Sequence, residues 1–190
     1  SLFANFPHID YLIGGEGEEL LVHLCRHLGG LAKTLPKEIL CRERCQRTDV
    51  HVPKINLNDL PYPNYAAYFR QIGEIFPEQL FIPVLPIEFS RGCWWNRCSF
   101  CNLNLQWPDY RFKTGERMVA EAVFLAKTHG CLQFAFSDNA LPPHEADRFF
   151  EGISASHMDF DFFAEIRGIT DQPRLQKYGQ GGLRTIQVGI

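Results

Sequence analysis

Three cysteines crowd one short stretch, Glu88-Phe-Ser-Arg-Gly-Cys93-Trp-Trp-Asn-Arg-Cys98-Ser-Phe-Cys101, in a C-x4-C-x2-C pattern. Thiolates this close in sequence can hold one metal centre from a single loop. Three is one fewer than a closed tetrahedral zinc site or a fully protein-ligated iron–sulfur cluster uses. A three-thiolate site keeps an open coordination position, which suits chemistry at the metal better than a structural staple. The alternative is a zinc loop completed by Cys41 or Cys45, which would make the chain a non-catalytic module that binds another protein.

The loop needs a scaffold, and the flanking sequence supplies a repeating strand–helix pattern. An apolar strand at about Pro86 to Ser90 leads into it, and Arg91-Gly92 turns it. Thr114 caps a helix to about His129, with Met118, Ala122, Leu125 and Ala126 facing inward and Gly130 as its stop. Cys131 to Phe136 reads as the second strand, and a short helix follows Pro142-Pro143. Phe160 to Ile166 is the third strand, about Asp171 to Gln180 a helix, and Arg184 to Ile190 the fourth strand. Apolar strands alternating with helices imply a parallel sheet with right-handed crossovers. Four strands do not close a barrel, and the last leaves an unpaired edge, so the pattern predicts a truncated domain.

Ligands of parallel α/β folds bind beyond the carboxyl ends of the strands. The polar residues fall there together: the cysteine loop after the first strand, then Ser137, Asp138 and Asn139 after the second. Glu165 and Arg167 end the third strand, and Gly189 the fourth. A metal loop facing carboxylate, amide and guanidinium groups suits a polar, charged cosubstrate.

The N-terminal stretch reads as strand Ile9 to Ile13, turn Gly14 to Gly17 and helix Glu18 to Leu28, with Leu20, Leu21, Leu24 and Leu28 on one side. A lone strand–helix unit cannot bury both its faces, so it looks like the last unit of a doubly wound domain. Its turn lacks the full dinucleotide fingerprint. His23 and His27, at i and i+4, read as a solvated helix face. Residues 31–84 read as a connector, with a loose hairpin over Ile39 to Val52 and an aromatic, proline-punctuated linker from Leu60 to Phe69.

Composition narrows the class. A chain of 190 residues with 45% apolar and 22% charged residues is ordinary globular protein, with an aromatic core predicted by sixteen phenylalanines. A net charge of −3 gives no electrostatic case for nucleic acid or an anionic membrane. The proline-broken run Leu80 to Ile87 is far too short to span a bilayer, and no secretory signal pattern opens the sequence. Seven cysteines, an odd number, fit a reducing cytoplasm with a metal site better than a disulfide framework.

The region 85–190 resembles the first half of a radical S-adenosylmethionine (SAM) enzyme. The resemblance implies that Cys93, Cys98 and Cys101 ligate three irons of a [4Fe–4S] cluster whose fourth iron binds SAM. It implies that Phe100 contacts the adenine, and that Ser137, Asp138 and Asn139 stand where the second strand meets the SAM amino group. Glu165 and Arg167 would reach the SAM ribose or carboxylate, and Val188-Gly189-Ile190 resembles the fourth-strand motif. The first gap of four residues is one longer than the superfamily's common C-x3-C-x2-C. Longer gaps with an Arg-Gly-Cys-Trp-Trp start are found in its cobalamin-associated branch. Residues 1–30 resemble the final βα unit of the Rossmann-like cobalamin-binding domain of that branch, without a D-x-H-x-x-G motif to ligate cobalt.

The expected fold is therefore α/β: the first four strands of a TIM-like barrel at 85–190, preceded by a cobalamin-domain remnant at 1–30. The expected cofactors are a [4Fe–4S] cluster, SAM and cobalamin. The expected reaction is reductive cleavage of SAM with methyl transfer to an unactivated carbon. The motifs look most like C-methyltransferases that mature ribosomal peptides, so a peptide or small-molecule substrate and a flavodoxin- or ferredoxin-like electron donor are expected.

Overall fold

The computed structural model describes residues 2–44, 54–78, 82–102, 109–168 and 171–189. Cys45, the rest of the expected hairpin to Val52, Asn104 and Ile190 lie outside the described residues. The chain divides into two compact units, Ser1–Ile55 and Asn56–Ile190. The stretch expected as one connector is thus shared between them.

In the first unit, helix α1 (Leu2–Asn5) precedes strand β1 (Tyr11–Ile13), helix α2 (Glu18–Leu28) and strand β2 (Ile39–Cys41). The helix α2 has the expected bounds, with two glutamates in its first turn favoured by the macrodipole. Its buried stripe is narrower than predicted. Leu20 and Leu24 pack with Ile39, whereas Leu21 and Leu28 are 53% and 62% exposed. The reason is that a two-stranded sheet covers only one narrow helix face. β2 pairs antiparallel with β1, register Leu12 to Leu40, and an antiparallel bridge joins Cys41 to Arg44. Arg42 holds the return, donating to the Phe3, Pro7 and Ile9 carbonyls.

The second unit begins with a 3-10 turn (Leu57–Asp59) and helix α3 (Ala66–Ile75), the latter lying inside the expected connector. Its sheet consists of β3 (Leu85–Ile87), β6 (Gln133–Phe136), β7 (Asp161–Arg167) and β8 (Leu183–Gly189), all parallel and in that order. Helices α4 (Gly115–His129), α5 (Pro143–Ala155) and α6 (Gln172–Gln180) supply the crossovers. Thr114 caps α4 by accepting the Arg117 N–H, and Gly130 ends it in the left-handed region, both as the sequence predicts.

Phenylalanines fill the core. The Phe162 ring meets those of Phe134, Phe136, Phe149, Phe150 and Phe160 at centroid distances of 5.2–6.0 Å. Alternation along β7 buries Phe162, Ala164 and Ile166 on the helix side, which leaves Asp161, Phe163, Glu165 and Arg167 on the opposite face. Glu165 is in register with Gln187 and Arg167 with Gly189.

The first expected strand, Pro86 to Ser90, is two separate pieces. β3 ends at Ile87, and β4 (Ser90–Arg91) leaves the parallel sheet to pair antiparallel with β5 (Arg111–Phe112). The exchange happens at Phe89, whose ring stays in the core while its backbone changes partners. Among the described residues, no helix is long and apolar enough to cross a membrane.

Candidate functional site

The β4–β5 pairing makes a neck for the cysteine loop. Ser90 is opposite Phe112 and Arg91 opposite Arg111, so the loop's entry and exit are joined. Just below, the Lys113 N–H donates to the Phe89 carbonyl at 2.8 Å. Gly92, with φ of 88°, begins the loop in a conformation that a side chain would strain, and Asn96 adopts φ of 45°, a region asparagine tolerates.

Asp138 supports the entry side. Its carboxylate accepts the Phe89 N–H at 2.9 Å and the Ser90 hydroxyl. That satisfies the amide released where the chain leaves the parallel ladder. The side chain is buried, 3% exposed, whereas its neighbours Ser137 and Asn139 face outward. Both Asp138 oxygens are therefore engaged by the loop entry, whereas Ser137 and Asn139 are exposed, the Ser137 hydroxyl donating to the Ile87 carbonyl at 3.3 Å.

A buried ion cluster supports the exit side. Glu121 is fully buried and accepts Lys113 Nζ at 3.0 Å and Arg117 Nη1 at 3.0 Å. Arg117 also donates to the Asn58 and Leu60 carbonyls, and its guanidinium lies 3.9 Å from the Tyr62 ring centroid. The Asn58 side chain accepts the Thr114 N–H, and Glu145 accepts that of Gly115. Sequence reading missed this cluster. Its one visible sign was Arg117 and Glu121 at i and i+4, an ordinary surface spacing.

The tryptophans tie the loop to the β6–α5 connection and to the end of β7. The Trp94 indole N–H donates to the Leu141 carbonyl at 3.1 Å, beyond β6. The Trp95 ring lies 3.9 Å from the Arg167 guanidinium, which ends β7, and 5.2 Å from that of Arg97. Trp94, Leu141, Ile166, Arg167, Arg174 and Tyr178 are among the residues around a cavity of about 70 Å³. Glu165 is half-buried on the face shared with Arg167, and its carbonyl accepts the Leu141 N–H.

Cys93, Cys98 and Cys101 are all free thiols and half-buried. A backbone bond from the Cys101 N–H to the Cys98 carbonyl turns the second half of the loop. Phe100 beside it is 85% exposed, with its ring open to a ligand. Among the described residues, no three His, Cys, Asp or Glu side chains are gathered as a metal cage. The donor set nevertheless fits an iron–sulfur cluster: three unbridged thiols on one short loop, with the neck fixed on both sides. Cys41, half-buried, and Cys25, exposed, belong to the first unit, and Cys131 is buried with its thiol donating to the Pro83 carbonyl.

Burial pushes the Asp138 carboxyl up to about 7, against the opposing hydrogen bonds from Ser90 and Phe89. Between about pH 4, the ordinary aspartate range, and about 7, the unfolded chain releases this proton while the folded chain keeps it. Stability from this group therefore falls as pH rises through that window. Asp138→Asn can accept from Phe89 and donate to Ser90, so it is expected to flatten the pH dependence while keeping the fold. Asp138→Ala orphans a buried N–H and is expected to cost about 1–3 kcal/mol. Urea unfolding from pH 4 to 8 checks both; an unchanged pH slope in Asp138→Asn would contradict the assignment.

No protein-family model matches the chain. The anaerobic magnesium-protoporphyrin IX monomethyl ester cyclase of Synechocystis sp. is 25% identical over 211 residues, covering 100% of this chain and 38% of the relative. The cyclase of the same name from Cereibacter sphaeroides is 30% identical over 146 residues, covering 70% of this chain and 22% of its own. Among solved structures, the cobalamin-dependent S-adenosylmethionine radical enzyme OxsB, with aqua-cobalamin and S-adenosylmethionine bound, matches with a TM-score of 0.72 at 20% identity. That match covers 100% of this chain and 29% of OxsB, and the form with aqua-cobalamin alone gives 0.71. The chain spans well under half the length of each of these proteins. The OxsB likeness establishes the fold, with the four parallel strands forming part of a TIM-like barrel.

Proposed function

We propose that the chain is a relative of radical SAM enzymes in the cobalamin-associated branch and forms the cluster-binding part of an enzyme that cleaves SAM reductively. The observation that carries this reading is the loop of three free thiols, clasped at its neck and set at the carboxyl ends of a parallel sheet. Cys93, Cys98 and Cys101 would hold the [4Fe–4S] cluster. When bound, such a cluster supplies the low-potential electron that splits SAM into methionine and a 5′-deoxyadenosyl radical, and cobalamin supplies a methyl carrier.

The chain's own residues would bind and orient. Phe100, exposed beside Cys101, offers a face for the adenine. Ser137 and Asn139 offer hydrogen bonds at the end of β6, and Glu165 and Arg167 do so at the end of β7. Trp94 and Trp95 would screen the cluster side of the loop from water, which tunes its potential. Asp138 would act one step back, by fixing the residues that precede Cys93.

The finer reading is methyl transfer to an unactivated carbon of a peptide or small molecule, with electrons from a flavodoxin- or ferredoxin-like donor in the cytoplasm. The names of both cyclase relatives favour a second reading, ring closure on a tetrapyrrole ester. Product analysis separates them. Anaerobic incubation with iron, sulfide, cobalamin, dithionite and SAM is expected to release 5′-deoxyadenosine. S-adenosylhomocysteine formed alongside supports methyl transfer. 5′-Deoxyadenosine without it supports the second reading, and neither product would contradict SAM cleavage.

A further inference from the structure

Arg167 ends β7 on the face opposite the helices, where a free guanidinium would be expected to reach toward a ligand. Its guanidinium stacks on Trp95, 3.9 Å from the ring centroid. Trp95 lies two residues after Cys93 and three before Cys98, within the longer of the two gaps between cysteines. Trp94, its neighbour, is fixed independently by its bond to the Leu141 carbonyl, and the two indoles meet edge to face at 5.9 Å. The four-residue gap is thus held at two consecutive side chains, by the loop between β6 and α5 and by the end of β7.

We infer that Arg167 is a positioning residue for the cysteine loop: through Trp95 it fixes the Cys93–Cys98 span and places a permanent positive charge beside the iron site. The inference rests on the reading of Cys93, Cys98 and Cys101 as cluster ligands only for its electrostatic half; the latch itself belongs to the protein without a cluster. A guanidinium suits both tasks. It stays charged at every working pH, and its plane stacks on an indole in a way an ammonium cannot reproduce. A fixed positive charge favours the more negative, reduced state of a cluster, so it raises the potential.

The test uses the whole chain with Arg167→Met and Arg167→Lys. In cluster-free protein, Arg167→Met is expected to change tryptophan emission and to speed hydrogen exchange across residues 93–98 several-fold. Arg167→Lys, which keeps the charge but not the plane, is expected to show most of that exchange increase. After anaerobic loading, Arg167→Met is expected to hold its cluster at a more negative potential than wild type, with Arg167→Lys closer to wild type. Thermal melting confirms that both variants are folded. Unchanged emission and exchange in folded Arg167→Met would overturn the latch. An altered loop with an unshifted potential would overturn the electrostatic half. If none of the three proteins takes up iron and sulfide while the loop differences persist, the cluster reading fails and the latch stands.

Discussion

Replacing Glu121 with alanine is expected to destabilise the second unit by roughly 3–5 kcal/mol, the usual cost of stripping one partner from a buried ion cluster. Glu121 is fully buried and Lys113 only 3% exposed, so the ammonium left behind would have neither counter-ion nor water. Arg117 would lose the same carboxylate but keep its bonds to the Asn58 and Leu60 carbonyls and its contact with Tyr62. The damage therefore concentrates at Lys113, whose N–H holds the Phe89 carbonyl beneath the loop neck. Glu121→Gln keeps the volume and one acceptor, and should cost less than the alanine variant. Urea unfolding measures both. A loss below about 1 kcal/mol in Glu121→Ala would contradict the ion cluster as the anchor of the neck.

Serine at any one of Cys93, Cys98 or Cys101 is expected to cut bound iron and sulfide by more than about tenfold, since losing even an outer partner of a metal ligand costs about 10–100-fold in affinity. The fold should survive, because all three thiols belong to a loop outside the phenylalanine core. Cys25→Ser, Cys41→Ser and Cys45→Ser serve as controls and are expected to leave iron binding unchanged. Loss of metal in the Cys41 or Cys45 variant would instead favour the zinc alternative, in which one of them completes the loop.

Local patterns in the sequence carried the crossovers well. Apolar periodicity and the Thr114 and Gly130 caps placed α4, and the glutamates and glycines placed α2. The convergence of strand ends on the cysteine loop was also legible, because a parallel sheet puts those ends on one side. The partners could not be read. Asp138 stood out as a polar residue at a strand end, yet its role depends on Phe89 switching ladders 49 positions earlier in the chain. The β4–β5 neck spans two residues on each side, too short for alternation to reveal. Trp95 and Arg167 lie 72 positions apart, and only the tertiary fold stacks them (167 minus 95). Leu21 and Leu28 matched the helical stripe, but the two-stranded sheet behind α2 covers only part of it.

The most direct test of the central claim is electron paramagnetic resonance of anaerobically loaded, dithionite-reduced protein, recorded with and without SAM. Three thiolates with one open iron predict a [4Fe–4S] signal that changes when SAM is added, and its loss in Cys98→Ala. About one zinc per chain with no sulfide and no signal would contradict the account.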